Sequence, residues 1–444
     1  MLVSVQRPIR KRRKHLSADA LYGVIKSRFG KVPDQRGHGT RISIADALMS
    51  GFALFALKDP SLLAFDQRRY DENMKRLFLI GTVASDTQMR TILDNIDPLE
   101  LRPAFRDIFR ALQRGKALQK FRFLDGHYLL LMDGTQYFTS EVIHCPGCLE
   151  KEHRDGRVTY SHQMIAAVLA HPDHREVIPF APEPIGNQDG STKNDCERNG
   201  AGRLLRHIRS EHPQLRLIVV EDGLASNAPH IRDLKALGMH FILGAKPGDH
   251  VFLYERLIEE YDKDRVTTIR WQDGDRTCEI TYVNQLPLNA SNPDLLVNFL
   301  GYAEYDPEGE VIKQFSWVTD LTITRGNAKE LVRAGRSRWK IENETFNTLK
   351  NQGYHFEHNF GHGEQNLAVN LAMLMMLAFL INQVEQLCCP LIQAVCKKLG
   401  SKRAAWEHVR NHFRVFRCDS MQQIYEAIVY ELTKNLPIPT LDSS

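Results

Sequence analysis

Two apolar runs in the sequence each lead into an aspartate followed by glycine. Residues 128–132 run into Asp133, and residues 217–220 run through Glu221 into Asp222. Short apolar runs that stop at Asp-Gly predict buried strands that open into turns. A single aspartate in this setting is usually a turn or cap residue. Two of them predict a site at one edge of a sheet, because ligand sites in α/β proteins gather at strand ends.

A third acid is expected on a helix that spans residues 338–349. At about 100° per residue, Glu342 shares one face with Arg338 and Phe346, and Glu344 points to the other side. A carboxylate on an apolar face needs a metal or a charged partner. Two interpretations of Glu342 follow, a metal ligand or an i,i+4 ion pair with Arg338.

Carboxylates without a neighbouring His or Cys suit Mg²⁺, which is a hard ion and prefers oxygen ligands. Three such acids, two on strands and one on a helix, are the arrangement that holds two divalent metals for phosphoryl chemistry. The sequence therefore favours a metal-dependent enzyme that acts on phosphate esters.

Charge is unevenly distributed along the 444 residues. Residues 1–124 contain 24 Lys and Arg against 12 Asp and Glu, although the net charge of the whole chain is only +4. A basic segment joined to an acidic body favours a polyanionic partner, nucleic acid first.

Cysteine content and the apolar stretches predict a cytoplasmic protein. Eight cysteines are few for this length and favour a reducing compartment. No secretory signal is visible, because the basic first residues are not followed by an apolar run. The longest apolar stretch, 371–381, is too short to cross a bilayer and predicts a core helix, with no membrane association.

The order of predicted elements indicates an α/β fold with a mixed sheet flanked by helices. Helical patterns precede residue 121, strands and helices alternate from there to 249, strands dominate 250–325, and helices follow. The expected organisation is a basic disordered arm at 1–15, a helical DNA-binding and dimerisation domain at 16–120, a first core segment at 121–249, an inserted β subdomain at 250–325, the catalytic helix and end of the core at 326–390, and a C-terminal helical region at 391–444.

Four segments together resemble the DDE transposases of bacterial insertion sequences. They are LLLMDGTQYF at Asp133, LIVVEDGLAS at Asp222, HFILGAKPGD after the next strand, and GRSRWKIENETFNTLK around Glu342. The resemblance covers residues 121–390 and implies a ribonuclease H-like core interrupted by a β insertion. It also implies that Asp133, Asp222 and Glu342 are catalytic and bind two Mg²⁺ or Mn²⁺ ions.

The resemblance further implies residues that contact DNA. Arg338 would contact a phosphate near the cleaved strand, Lys350 the transposon end, and Lys246 the DNA beside the next strand. The chain departs from the family in two places. Lys350 lies eight residues after Glu342 where the family has seven, and Gly335 stands where the family often has tyrosine.

The family's β insertion presents an aromatic residue that stacks on a flipped base. Trp271, next to Arg270, is the candidate, since stacking beside a cation is strong and tolerant of sequence. The alternative is a core tryptophan.

The basic residues of the N-terminal arm, among them Arg10, Arg12 and Arg13, are expected to attract DNA phosphates without sequence preference.

Cys145 and Cys148 form a Cys-Pro-Gly-Cys sequence that resembles half of a zinc site. A structural Zn²⁺ is one interpretation, with His153, His162 or Cys196 completing the ligands. Two reduced thiols in a turn are the other.

The leading functional hypothesis is a DNA transposase that cleaves transposon ends and joins the 3′-OH to target DNA. Such a reaction implies double-stranded DNA as partner, a homodimer in the synaptic complex, and a location at the bacterial nucleoid. Two alternatives remain open: a nuclease or resolvase of the same fold without strand transfer, and a catalytically silent DNA-binding protein derived from a transposase.

Overall fold

The structure, a computed structural model, describes residues 14–37, 39–186 and 196–431. The predicted basic arm, with Arg10, Arg12 and Arg13, lies outside the described residues.

The chain divides into two compact units. The helical unit comprises Met1–Leu118, Ser140–Cys148 and Thr348–Ser444, and the sheet unit comprises Gln119–Thr139 and Leu149–Asn347. The predicted DNA-binding role of residues 16–120 stays a prediction.

The strands of the described residues, in chain order, are β1 (Arg122–Phe123), β2 (His127–Ser140), β3 (Leu149–Glu152), β4 (Val158–Ala170), β5 (Ile178–Pro179), β6 (Glu183–Ile185), β7 (Leu217–Glu221), β8 (His240–Gly244), β9 (Thr267–Asp273), β10 (Arg276–Asn289), β11 (Asn292–Tyr305) and β12 (Val311–Thr319).

The α-helices of the same residues are α1 (Ala18–Phe29), α2 (Ile44–Ala56), α3 (Leu62–Asp66), α4 (Glu72–Leu77), α5 (Asp86–Asp94), α6 (Arg102–Arg114), α7 (Glu197–Glu211), α8 (Ala228–Ala236), α9 (Val251–Asp262), α10 (Ala328–Arg336), α11 (Asn347–Asn351), α12 (Leu367–Cys388), α13 (Pro390–Leu399), α14 (Lys402–Val415) and α15 (Met421–Tyr430). A π-helix spans Ile341–Phe346.

Within the described residues, the strands form one sheet in the order β3-β4-β2-β7-β8-β12-β11-β10-β9, with β1 on β2 and with β5 and β6 on β4. β2, β7 and β8 are parallel neighbours, and β12 is antiparallel to β8. Every residue of β7 is buried, which explains its continuous apolar run. Helices α7 and α10 pack against β4 and β8. The predicted fold class, a mixed sheet flanked by helices, is confirmed and is consistent with a ribonuclease H-like core.

The prediction that the first strand ends at Asp133 is wrong. β2 continues to Ser140, and Asp133 lies in its middle. Pairing with β7 stops at Leu131, and continuous burial of the strand stops at Met132, although Tyr137 further along is also buried. The apolar run therefore reports where the core ends, and it does not report where the strand ends.

The strand-rich segment predicted at 250–325 begins with helix α9 and continues as four antiparallel strands, β9 to β12. Trp317 of β12 pairs with Gly244 of β8, so these strands extend the sheet that carries the two aspartates.

Helix α12 forms the core of the helical unit. It is long and apolar enough to cross a membrane, but 94% of its most apolar window is buried inside the structure. It packs against α2, whose residues are all buried. The prediction of a core helix at 371–381 is confirmed.

The carboxylate of Asp94 caps the start of α12. It accepts hydrogen bonds from the backbone N–H groups of Glu364, Gln365, Asn366 and Leu367 at 2.9–3.0 Å. Burial opposes ionisation of Asp94, but the four N–H groups outweigh burial and hold the pKa of the carboxyl below its usual value. The positive end of the helix dipole favours the same charge.

Asp94→Asn is expected to destabilise the protein by about 2 kcal/mol at neutral pH, because the cap loses its charge. Because the pKa of Asp94 is lower in the folded protein, the ionised carboxylate stabilises the fold at pH values above its unfolded-state pKa of about 4. This stabilisation is lost as the pH falls through the folded-state pKa. The difference in the free energy of unfolding between wild type and Asp94→Asn, measured by urea titration, should therefore decrease at acidic pH.

Asp97→Asn is the matched control, because the Asp97 carboxylate accepts a hydrogen bond from the backbone N–H of Leu99 alone among the N–H groups described around it. An equal loss of stability in both variants would contradict the four-bond cap.

Candidate active site

The parallel pairing of β2 with β7 brings Asp133 and Asp222 to equivalent positions on neighbouring strands. Leu131 pairs with Val220, and each aspartate lies two residues further along its chain. Neighbouring strands are about 4.8 Å apart. The two carboxylates therefore emerge side by side from the same edge of the paired segment, as the sequence predicted.

Asp222 is fixed by the turn that follows β7. Its Oδ1 accepts a hydrogen bond from the backbone N–H of Leu224 at 3.0 Å. Gly244 of β8 lies against this turn, and a Cβ added there would lie 2.9 Å from the nitrogen of Gly223. The absence of a side chain at Gly244 thus allows the turn to pass close to β8.

Arg338 joins the third acid to the first. One guanidinium nitrogen lies 3.1 Å from Asp133 Oδ2, and another lies 2.6 Å from Glu342 Oε1. A planar guanidinium can bridge two carboxylates in this way because its N–H groups point in fixed directions. Asp133, Asp222, Glu342 and Arg338 are thus brought together as predicted, although their chemical roles stay predictions.

The face assigned to Glu342 by α-helical geometry is wrong. The side chain of Glu342 is 48% exposed, and Glu344 is half-buried. Residues 341–346 form a π-helix, in which the N–H of Asn347 bonds to the carbonyl of Glu342. An increment of about 100° per residue holds only for an α-helix, so it misplaced both acids. The i,i+4 ion pair with Arg338 is present, but on the exposed face.

The π-helix also accounts for the unusual spacing of Lys350. Its i→i+5 turn holds one residue more than an α-helical turn. A lysine eight positions after the acid therefore has nearly the helical phase that seven positions give in a regular α-helix. The ammonium of Lys350 pairs with Glu357 at 2.7 Å, and a contact with DNA stays a prediction.

Packing explains why glycine stands at position 335. A Cβ added to Gly335 would lie 2.5 Å from the indole ring of Trp317. Trp317 is only 5% exposed and is therefore a core residue. The indole occupies the space next to Gly335 and leaves no room for a tyrosine on this backbone.

Carboxylate repulsion is visible in the ionisation of Asp133. The pKa of Asp133 is raised to about 6. Burial is the largest cause and Glu342 and Asp222 act in the same direction, whereas Arg338 and the backbone N–H of Gly134 lower the pKa. The three acids are therefore close enough to repel one another. A donor set of crowded carboxylate oxygens fits hard divalent cations such as Mg²⁺ or Mn²⁺.

A cavity of about 380 Å³ opens beside Asp133 and Asp222. Two of its lining residues escaped the sequence analysis, Glu221 and His230, whose side chains hydrogen-bond at 2.6 Å. Burial opposes protonation of His230, but Glu221 outweighs burial and raises the pKa of the imidazole. The sequence feature that could have identified Glu221 was an acidic residue at the end of an apolar strand.

A second, basic groove of about 580 Å³ begins at Asp222. Lys246 and Arg338, both predicted to contact DNA, line it, and Lys246 is exposed. The sequence analysis missed two other cations that line the groove, Lys313 in a strand and Arg336 at the end of a helix. The pattern of residues along a strand or helix does not show which face lines a groove.

The aromatic residues of the sheet unit differ in exposure. Trp271 is half-buried, with the ammonium of Lys329 4.0 Å from its ring centroid. Trp339, which lines the basic groove, is 45% exposed. Base stacking by Trp271 stays a prediction, and Trp339 is the more accessible ring.

The predicted half zinc site lies in the helical unit. Cys145 and Cys148 are buried and their sulfur atoms are 3.9 Å apart. The structure adds His362, whose Nε2 lies 3.4 Å from the sulfur of Cys148. His362 was not among the ligands that the sequence offered.

A family model described as "Transposase DDE domain" matches residues 183–380. The match includes Asp222, Arg338 and Glu342 and begins after Asp133. A comparison with curated proteins finds no match to the chain.

Gly244→Ala is expected to displace the turn at Asp222, because the new methyl group meets the backbone of Gly223. A strained backbone contact of this kind costs about 1–3 kcal/mol. Calorimetric titration with Mn²⁺ should show weakened binding in the variant, and its thermal unfolding midpoint should fall.

Gly248→Ala is the control in the same loop, because a Cβ at Gly248 meets nothing within 4 Å. Wild-type Mn²⁺ affinity in Gly244→Ala would show that the close approach does not position Asp222.

Proposed function

We propose that this chain, whose residues 183–380 match a model of the transposase DDE domain, is a transposase that cleaves DNA at transposon ends and joins the freed 3′-OH to target DNA. The observation that carries the proposal is the convergence of three acids on one site. Asp133 and Asp222 lie in register on adjacent strands, and Arg338 joins Asp133 to Glu342.

Asp133, Asp222 and Glu342 would hold two Mg²⁺ or Mn²⁺ ions, as in a family whose members use divalent metals. Such a pair of ions, when bound, stabilises the attacking and leaving oxygens of an in-line displacement at phosphorus. The contribution of the protein is to hold the three carboxylates in position. The sheet holds two carboxylates rigidly, and the helix brings the third to them.

Arg338 has a second task in this proposal. Its guanidinium pairs with Asp133 and Glu342 in the structure. Once those carboxylates bind cations, the same guanidinium is available to donate hydrogen bonds to a phosphate of the scissile strand. Arginine suits this task because its fork of N–H groups matches phosphate oxygens.

The basic groove supplies the path for the DNA backbone. Lys246, Lys313 and Arg336 line it next to Asp222. Glu304 pairs with Lys313 and Arg336 and also with Arg276, so one acid is shared by three cations. The excess positive charge favours a phosphate backbone beside the acids. Because transposition joins two ends, the proposed assembly on DNA is a homodimer.

Asp133→Ala is expected to abolish cleavage of a transposon-end duplex in Mg²⁺, because one of the three ligands is lost. Binding of the duplex, measured by fluorescence anisotropy, should stay within about twofold, since positioning contacts are separate from the chemistry. Retained cleavage would refute the ligand assignment.

Glu344→Gln is the matched control for Asp133→Ala. Glu344 lies two residues after Glu342 and has no contact with Arg338 among the described ion pairs. Its substitution should leave cleavage unchanged.

A precut end separates transposase from nuclease. Wild-type protein is given a duplex with a free 3′-OH at the transposon end, together with a supercoiled target plasmid. A transposase yields a joined product, and a nuclease of the same fold yields none. A catalytically silent protein binds the duplex but gives neither cleavage nor joining.

Lys246→Ala is expected to weaken DNA binding for all sequences and to reduce the slope of log Kd against log salt by about 1. Anisotropy titrations across a salt series measure both quantities. Lys235→Ala, an exposed lysine on α8 that does not line the groove, should behave as wild type. An unchanged slope for Lys246→Ala would remove Lys246 from the DNA path.

A further inference from the structure

We propose that the helical unit contains a structural Zn²⁺ site formed by Cys145, Cys148 and His362, separate from the acidic site. The ligand atoms of these three side chains all lie within 4.8 Å of one another. They come from two segments far apart in sequence, so their approach is a product of the fold. The set of two thiols and an imidazole fits Zn²⁺, which binds sulfur and nitrogen.

The distances match tetrahedral coordination. Zn–S and Zn–N bonds of about 2.3 and 2.0–2.1 Å place two sulfurs about 3.8 Å apart and a sulfur and a nitrogen about 3.5 Å apart. The observed separations are 3.9 Å between the two sulfurs and 3.4 Å between Cys148 Sγ and His362 Nε2. An ion fits between these atoms without rearrangement of the backbone.

The two cysteines sit on a turn suited to metal binding. The N–H of Cys148 bonds to the carbonyl of Cys145 at 3.0 Å, which closes the turn around Pro146 and Gly147. The N–H of Cys145 donates to the sulfur of Cys148 at 3.4 Å. A hydrogen bond of this kind stabilises the thiolate, which is the form that binds metal.

His362 is held by the same loop that Asp94 caps. Gly363, the next residue, has φ of +71°, a left-handed conformation that favours glycine. The carbonyl of His362 accepts a hydrogen bond from the N–H of Ala368 at 3.2 Å. The imidazole is therefore carried by an anchored backbone and is only 8% exposed.

A disulfide is the main competing state of Cys145 and Cys148. It would require the sulfurs to move from 3.9 Å to about 2.05 Å. A bound zinc explains the positions of all three side chains. It would also link the segment 140–148 of the helical unit to the loop before α12.

A structural zinc has four ligands, of which this cluster of the helical unit supplies three.

The test is zinc content in the full-length protein, measured by elemental analysis after dialysis against metal-free buffer. The proposal requires about one zinc per chain in wild type and less than about a tenth in Cys145→Ser and His362→Ala. Cys278→Ser is the control, because this buried cysteine lies in the sheet unit, and it should keep its zinc. Asp133→Ala should also keep it, which distinguishes this site from the acidic one.

A second measurement covers variants that fail to fold. Wild-type protein reconstituted with Co²⁺ should show the visible absorption of tetrahedral thiolate coordination, and chelation should expose two additional thiols to alkylation. Wild-type protein with less than about a tenth of an equivalent of zinc and without the Co²⁺ spectrum would overturn the proposal. Retention of zinc by Cys145→Ser would do the same.

Discussion

The parallel pairing of β2, β7 and β8 is the constraint on which the acidic site depends. Backbone hydrogen bonds fix Leu131 opposite Val220, and that register alone sets Asp133 beside Asp222. A shift of one residue would turn one carboxylate to the other face of the sheet. Burial of the strands makes such a shift costly, because each strand would expose its apolar residues. The hydrophobic core therefore determines the geometry of the polar site.

The third acid reaches this edge through an irregular helix. The π-helix at Ile341–Phe346 places Glu342 toward Arg338 and changes the phase of every residue after it. Trp317 packs over Gly335 one turn earlier. Both departures from the family pattern thus have local structural causes, an extra residue in one turn and an indole ring in the space of a missing side chain. π-helical turns are common at functional sites because they aim side chains that a regular helix would misdirect.

Charge within the sheet unit is arranged in two neighbouring regions. Acids and the Glu221–His230 pair line the cavity, and cations line the groove that starts at Asp222. Asp222 borders both, so a phosphate backbone in the groove would meet the carboxylates at its edge. Arg338 lies at the same border and pairs with two acids. Attraction of DNA and binding of cations can then operate side by side.

The sequence by itself determined the local elements, the three acids and the fold class. Apolar runs report burial directly, and an acid after such a run stands out, so Asp133 and Asp222 were recognisable. Glu342 was recognisable from the resemblance of the segment around it. Alternation and periodicity depend only on neighbouring residues, which is why the core helix α12 was also predicted.

Only the tertiary structure determined which residues contact one another. The continuation of β2 beyond Asp133 and the approach of His362 to Cys148 arise from residues distant in sequence, and the exposed face of Glu342 arises from the π-helix that contains it. Sequence periodicity does not predict such contacts, because it indicates whether a side chain is buried but does not identify the residue that it packs against. The space that Trp317 takes beside Gly335 was settled by packing, and packing exists only once the chain has folded.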